Sequence, residues 1–257
     1  MAETRHIMIY YEGDDDRAVL EKLRAAKLLP EGCDLAKRSK QDHPGKDGLV
    51  RQLLPFVRPA NGVGGRAVVI LDLDEMTFEQ RGSWFRSQLQ QELDAHSPTV
   101  KIEDAAPPNE RVRLYHLAAE GKIGRIALVP AGLPGDDVLA TTYGIDRLAM
   151  DDWLFRLVLD ERVFGAVSDL KAVPYATAKA KFIEVAELFR KNDIEVRKAK
   201  TYVQILRALA AIAPSTATIV GRFVEKGAQA LSPEEFRATL HPLLDDLEVA
   251  IRVLSAT

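Results

Sequence analysis

Two hydrophobic rhythms run along this chain and divide it. Residues 6–11, HIMIYY, form a short β-prone apolar run that stops at Glu12-Gly13. Residues 15–29 then carry apolar side chains at Ala18, Val19, Leu23, Ala26 and Leu29, the spacing of one helix face. A weak strand, an edge one, is expected at 33–36, and a helix at 49–57 with Leu49, Leu53, Leu54 and Val57 on one side. Residues 67–71 are wholly apolar. A half-exposed strand would alternate, so this run predicts a strand buried on both faces. A helix is expected over 78–95. The order β-α-β-α-β-α implies a parallel sheet with right-handed crossovers.

The rhythm then loosens. Residues 97–110 are acidic and proline-bearing and predict a long loop. Strands are expected at 112–117 and 124–129, as a hairpin or side by side. Beyond them the helical period returns at 145–159, 176–192, 201–211, 215–225 and 233–254. Ser232-Pro233-Glu234-Glu235 is a good helix start. The expected fold class is α/β: a mainly parallel sheet flanked by helices over residues 1–150, followed by a mostly helical region over 151–257. The pattern leaves open whether those helices stand apart or clasp the sheet.

Composition narrows the function classes. Of 257 residues, 47% are hydrophobic, enough for a sizeable core. Charged residues make up 28% and nearly balance, for a net charge of -3. Such a balance argues against global attraction to nucleic acid but not against a local basic patch. With Cys33 as its one cysteine the chain can build neither a disulfide framework nor a thiolate zinc site, which fits a reducing cytoplasm. The first residues lack a signal-peptide layout. No apolar run approaches the roughly 20 residues of a membrane helix, so no membrane role is expected.

The candidate chemistry lies at strand ends. The first strand ends in Glu12-Gly13-Asp14-Asp15-Asp16, and the third in Asp72-Leu73-Asp74. In an open α/β sheet, ligands bind outside the carboxyl ends of the strands. An extended backbone would point Asp72 and Asp74 the same way. Bare carboxylates a few Å apart repel by roughly 1 kcal/mol or more per pair, and Mg²⁺ or Mn²⁺ would relieve them. The plainer reading is helix capping and solvation, and it is favoured for Asp14 and Asp15. Asp151-Asp152, before an apolar helix, and Asp136-Asp137, in a Gly/Pro loop, are further acids of the same kind. Basic residues gather at Lys37, Arg38 and Lys40, and again at Lys198 and Lys200, where they could hold a phosphate backbone. The histidines show no metal spacing, and the Gly-rich 61–65 lacks the lysine and hydroxyl of a P-loop.

Glu12-Gly13-x-x-Asp16 followed by Asp72-x-Asp74 resembles the Toprim domain. That domain is shared by type IA and type II topoisomerases, bacterial primases, recombination mediators and OLD-type nucleases. The likeness covers residues 5–135. It is similar in wording to small stand-alone Toprim proteins. It implies a catalytic set of Glu12, Asp72 and Asp74. It also implies metal ligation by these three with Asp16, Asp151 and Asp152, and Mg²⁺ or Mn²⁺ as cofactor. It implies a nuclease in DNA repair or anti-phage defence, with DNA ahead of RNA as substrate and an ATPase as partner. The chain is too short for a strand-passage gate, which disfavours a topoisomerase. The competing expectation is a non-catalytic Toprim-like module that works with a partner protein. A haloacid-dehalogenase-like phosphatase is disfavoured, because its DxD sits on the first strand.

Overall fold

The computed structural model describes residues 6–36, 46–57, 65–119, 122–133, 138–167, 173–209 and 216–256. The α/β part comprises β1 (Ile7–Tyr10), α1 (Asp14–Ala25), β2 (Cys33–Leu35), α2 (Lys46–Val57), β3 (Arg66–Asp72), α3 (Phe78–His96), β4 (Lys101–Ala105), β5 (Arg113–Ala119) and β6 (Lys122–Ala131). A π-helical turn, Val138–Thr142, leads to the helices: α4 (Asp151–Leu159), α5 (Glu161–Val167), α6 (Tyr175–Lys191), α7 (Ala199–Leu209), α8 (Thr216–Ala230), α9 (Pro233–Thr239) and α10 (Leu243–Ser255).

The strands make one mixed sheet in the order β2-β1-β3-β6-β5-β4. β2, β1, β3 and β6 run parallel, and β5 and β4 are antiparallel additions. β3 is buried on both faces, as its apolar run requires. Val68 and Ile70 join a core with α1 and the C-terminal helices, while Ala67, Val69 and Leu71 face α2 and α3. The C-terminal helices therefore clasp one face of the sheet. α10 lies against β6 and β3, and α8 against α1.

This order creates a crevice. From β1 the chain crosses through α1 to β2 on one side. From β3 it proceeds through α3 towards β6 on the other, and α1 and α3 cover opposite faces. The carboxyl ends of β1 and β3 thus meet at a topological switch point, where doubly wound sheets place their ligands.

Three expectations need correction. Residues 97–110 are not all loop: β4 forms there as a sheet edge. An edge strand with one covered face needs few buried side chains, here Ile102, and its charges keep other chains off. Helix α4 begins at Asp151, not at 145, because the backbone of 146–148 is engaged elsewhere. The N–H groups of Asp146 and Arg147 both donate to the Arg197 carbonyl, and Leu148 pairs with Asp74. The long helix expected at 233–254 breaks into α9 and α10 at Pro242, whose ring and missing N–H cannot continue a helix.

Helix α3 starts just beyond the crevice with a capping box. Thr77 Oγ1 accepts the Gln80 N–H at 3.2 Å, and Gln80 Oε1 accepts the Thr77 N–H at 2.9 Å. Thr77→Ala is expected to lower unfolding stability by about 1 kcal/mol in urea titration.

Candidate metal centre

Glu12 stands two residues beyond the end of β1, and Gly13 then caps α1. Asp16, in the first turn, folds back so that its Oδ2 accepts the Gly13 N–H at 2.8 Å. This buries the Asp16 carboxyl and lifts its pKa well above the carboxylate range. Desolvation is the main cause, and Asp72, Asp151 and Glu12 add repulsion against the pull of the Gly13 N–H. Four acids from β1, α1, β3 and α4 therefore share one electrostatic environment at the switch point.

β3 delivers Asp72, whose Oδ1 accepts the Met150 N–H at 3.1 Å. The strand geometry stops there. Asp74 has φ 51°, a left-handed conformation, and is locked by two backbone bonds to Leu148 of 2.7 and 2.9 Å. The extended-backbone argument that aimed Asp72 and Asp74 alike thus fails at Asp74. Its carboxylate instead takes Arg81 Nη2 at 3.1 Å and Lys198 Nζ at 3.6 Å.

The bond from Met150 brings the start of α4 to the same place. Asp152 is fully buried, and its Oδ2 accepts the N–H groups of Leu133 at 3.0 Å and Ala149 at 3.2 Å. Its Oδ1 has no hydrogen-bond partner among the described residues. Burial, with Asp72 and Asp151 nearby, pushes its pKa to about 7 despite the two N–H donors. The Asp151 carboxyl rises to about 6 through burial, with Asp15 adding to the rise and Lys200 and Lys198 opposing it.

Cations rim the cluster. Lys200 Nζ donates to Asp15 Oδ2. Burial draws the Lys200 pKa down, but Asp15, Asp151 and Asp16 together carry it above its ordinary value. Arg81 is 2% exposed and donates to the Leu73 carbonyl at 2.9 Å as well as to Asp74. Burial lowers its pKa, against the opposing pull of Glu12 and Asp72. It stacks over Trp84 at 5.2 Å. Sequence reasoning missed Arg81. The signal was there: Arg81, Phe85, Leu89 and Leu93 form one i, i+4 stripe, and a charge on an apolar stripe needs a buried partner.

The structure thus places Glu12, Asp16, Asp72, Asp151 and Asp152 within electrostatic reach of one another, with Asp74, Lys198 and Lys200 at the edge. Lys37, Arg38 and Lys40, and the pair Asp136-Asp137, lie outside the described residues. The donor set is of the kind a hard divalent cation takes: all oxygen, crowded by like charge, with Asp152 Oδ1 unpartnered among the described residues. Among the described residues, no three His, Cys, Asp or Glu side chains stand drawn together as a ready ligand set. Nor, among them, is any helix long and apolar enough to cross a membrane. No family model matches the chain, and neither a curated protein nor a solved structure matches it.

Proposed function

We propose that this chain is a Toprim-like, divalent-cation-dependent nuclease of the cytoplasm, with Mg²⁺ or Mn²⁺ as cofactor and DNA ahead of RNA as substrate. The observation that carries the reading is the burial of Asp16, held by the Gly13 N–H, beside Asp72, Asp151 and Glu12 at the switch point. Glu12 and Asp72 would hold the cation, with Asp16, Asp151 and Asp152 around them. A cation there would polarise a phosphoryl oxygen and lower the pKa of attacking water.

The chain's own groups do the rest. The Met150 N–H fixes the Asp72 carboxylate against rotation. Asp152, its pKa pushed to about 7, is the acid able to carry a proton near neutrality, and burial raises Asp16 in the same direction. Asp74 holds Lys198 at the lip, from where the ammonium can pass to a backbone phosphate. Work in DNA repair or anti-phage defence beside an ATPase follows from the Toprim likeness. A second reading, a non-catalytic Toprim-like module working with a partner protein, is favoured by the internal neutralisation of Asp74 and Asp15 by Arg81, Lys198 and Lys200.

Plasmid, single-stranded DNA and RNA incubated with Mg²⁺, Mn²⁺ or EDTA separate the two. Cleavage lost in EDTA and in Asp72→Ala is the expected result. Cleavage that survives Asp72→Ala would overturn the nuclease assignment. Mn²⁺ binding by calorimetry without cleavage would select the second reading, and no Mn²⁺ binding at neutral pH would remove the metal site.

A further inference from the structure

Beside the acid cluster lies a second feature with no part in the chemistry above. A cavity of about 580 Å³ opens between the 141–146 segment, the end of α6, the α6–α7 connection and α7. That volume lies within the range of small-molecule sites. Its aromatic walls are Tyr143, Phe189 and Tyr202. Tyr143 is braced edge-on against Phe155 at 4.9 Å and against Tyr202 at 5.4 Å, so the wall is rigid. Ile194, 50% exposed, stands among the lining residues as an apolar side chain facing water.

The charges show which part of a ligand fits. Arg197 is engaged by Asp146 at 2.6 Å and by Glu75 at 3.0 Å, and Arg190 donates to the Thr142 carbonyl at 3.1 Å. Asp193 and Glu195 add two more carboxylates to the lining. With three carboxylates against two guanidinium groups, such a pocket does not single out phosphate. It offers stacking faces together with acceptors for ring N–H and amino groups, which suits a flat, uncharged heteroaromatic ring.

Location connects the cavity to the acids. Arg197 lines it, and the next residue, Lys198, pairs with Asp74. Glu75, bound by Arg197, follows Asp74 in the chain. The cavity thus adjoins the lip of the acid cluster, where a nucleotide next to a bound phosphate would lie. We propose that this cavity is a nucleobase subsite that accepts an unpaired base next to the bound phosphate, making single-stranded nucleic acid the substrate class. The inference rests on the nuclease reading and sharpens it.

The test is fluorescence anisotropy with a short labelled oligothymidine, an abasic strand of equal length and charge, and the same thymidine strand in duplex. Ca²⁺ replaces Mg²⁺, and salt is fixed. The full chain is expected to bind the thymidine strand about tenfold more tightly than either of the others, the scale of one stacked base. Ile194→Asn and Phe189→Ala should each erase that preference. Their binding of the abasic strand, which reads the phosphate contacts alone, should match that of the unaltered chain. Equal affinity of the unaltered chain for thymidine and abasic strands, with Mg²⁺-dependent cleavage intact, overturns the subsite alone. No binding of any strand overturns the nucleic-acid reading and the subsite with it.

Discussion

At pH 8 and without metal, Asp152→Asn is expected to melt well above the unaltered chain, although the substitution removes a candidate ligand. Asp152 is fully buried, and one of its carboxylate oxygens has no hydrogen-bond partner among the described residues. Its pKa stands at about 7 in the fold against 3.8 for the free side chain. A folded-state pKa raised above the unfolded one means stability that is fully present below the unfolded value. It is lost as pH rises through the folded value. The loss is therefore small near pH 4 and complete above about pH 7. At 1.36 kcal/mol per unit, the full difference approaches about 4 kcal/mol. In a chain of this size each kcal/mol moves the melting midpoint by about 2–4 °C. Asparagine keeps an oxygen for the Leu133 and Ala149 N–H groups and removes the charge. Thermal melts from pH 4.5 to 8 should show the variant's advantage growing with pH, and Mg²⁺ should narrow it by stabilising the unaltered chain more than the variant. An advantage that stays flat across that range would contradict a charged, strained Asp152. A more stable and less active variant is what a site held against its own folding preference predicts.

Gly132→Ala should damage the fold and the site together. Gly132 follows β6 with φ 146°, a region side chains rarely adopt. An added Cβ would lie 2.6 Å from Leu148 Cβ, 3.2 Å from the Leu148 carbonyl carbon and 3.3 Å from Leu73 Cδ1. Two of those contacts are with backbone or near-backbone atoms, so no rotamer change relieves them. Overpacking and backbone strain each cost of the order of 1–3 kcal/mol. Leu148 also holds Asp74 by two backbone bonds, so its displacement carries Asp74 with it. Urea titration should show a loss of about 3 kcal/mol, and cleavage should fall further than the folded fraction accounts for. Gly144→Ala is the control. Its φ of 67° gives strain, but nothing lies within 4 Å of the added atom. Equal losses at the two positions would show that crowding against Leu148 is not the cause.

The parts of the site that depend on local order were legible in the chain. A doubly buried apolar run announces β3. Glu12 and Asp72 fall at the ends of adjacent parallel strands because alternating strands and helices place strand ends on one edge. Asp16 follows from helix-start chemistry. Other features depend on partners far along the chain. Asp74 leaves the extended conformation because Leu148, 74 residues later, supplies its backbone bonds. Residues 145–150 have a helical pattern, but the backbone of 146–148 bonds to Asp74 and Arg197 instead. β4 is charged because it is an edge, and charge is what an isolated reading takes for loop. Arg81 lay on a stripe whose pattern was readable, yet the half-buried partner that explains it, Asp74, was known only from the fold.

The clasp of helices over the sheet has a consequence for inheritance. Ile7, Ile9, Val68, Ile70 and Val129 are closed from water by the helices of α1 and of residues 151–256 acting together. A gene broken near codon 150 would yield a sheet whose one face keeps only α1 as cover, leaving an apolar surface that draws other copies of itself together before it can do chemistry. Recombination can therefore move this acid cluster between proteins only with its helical cover attached, and the two halves must diverge in step.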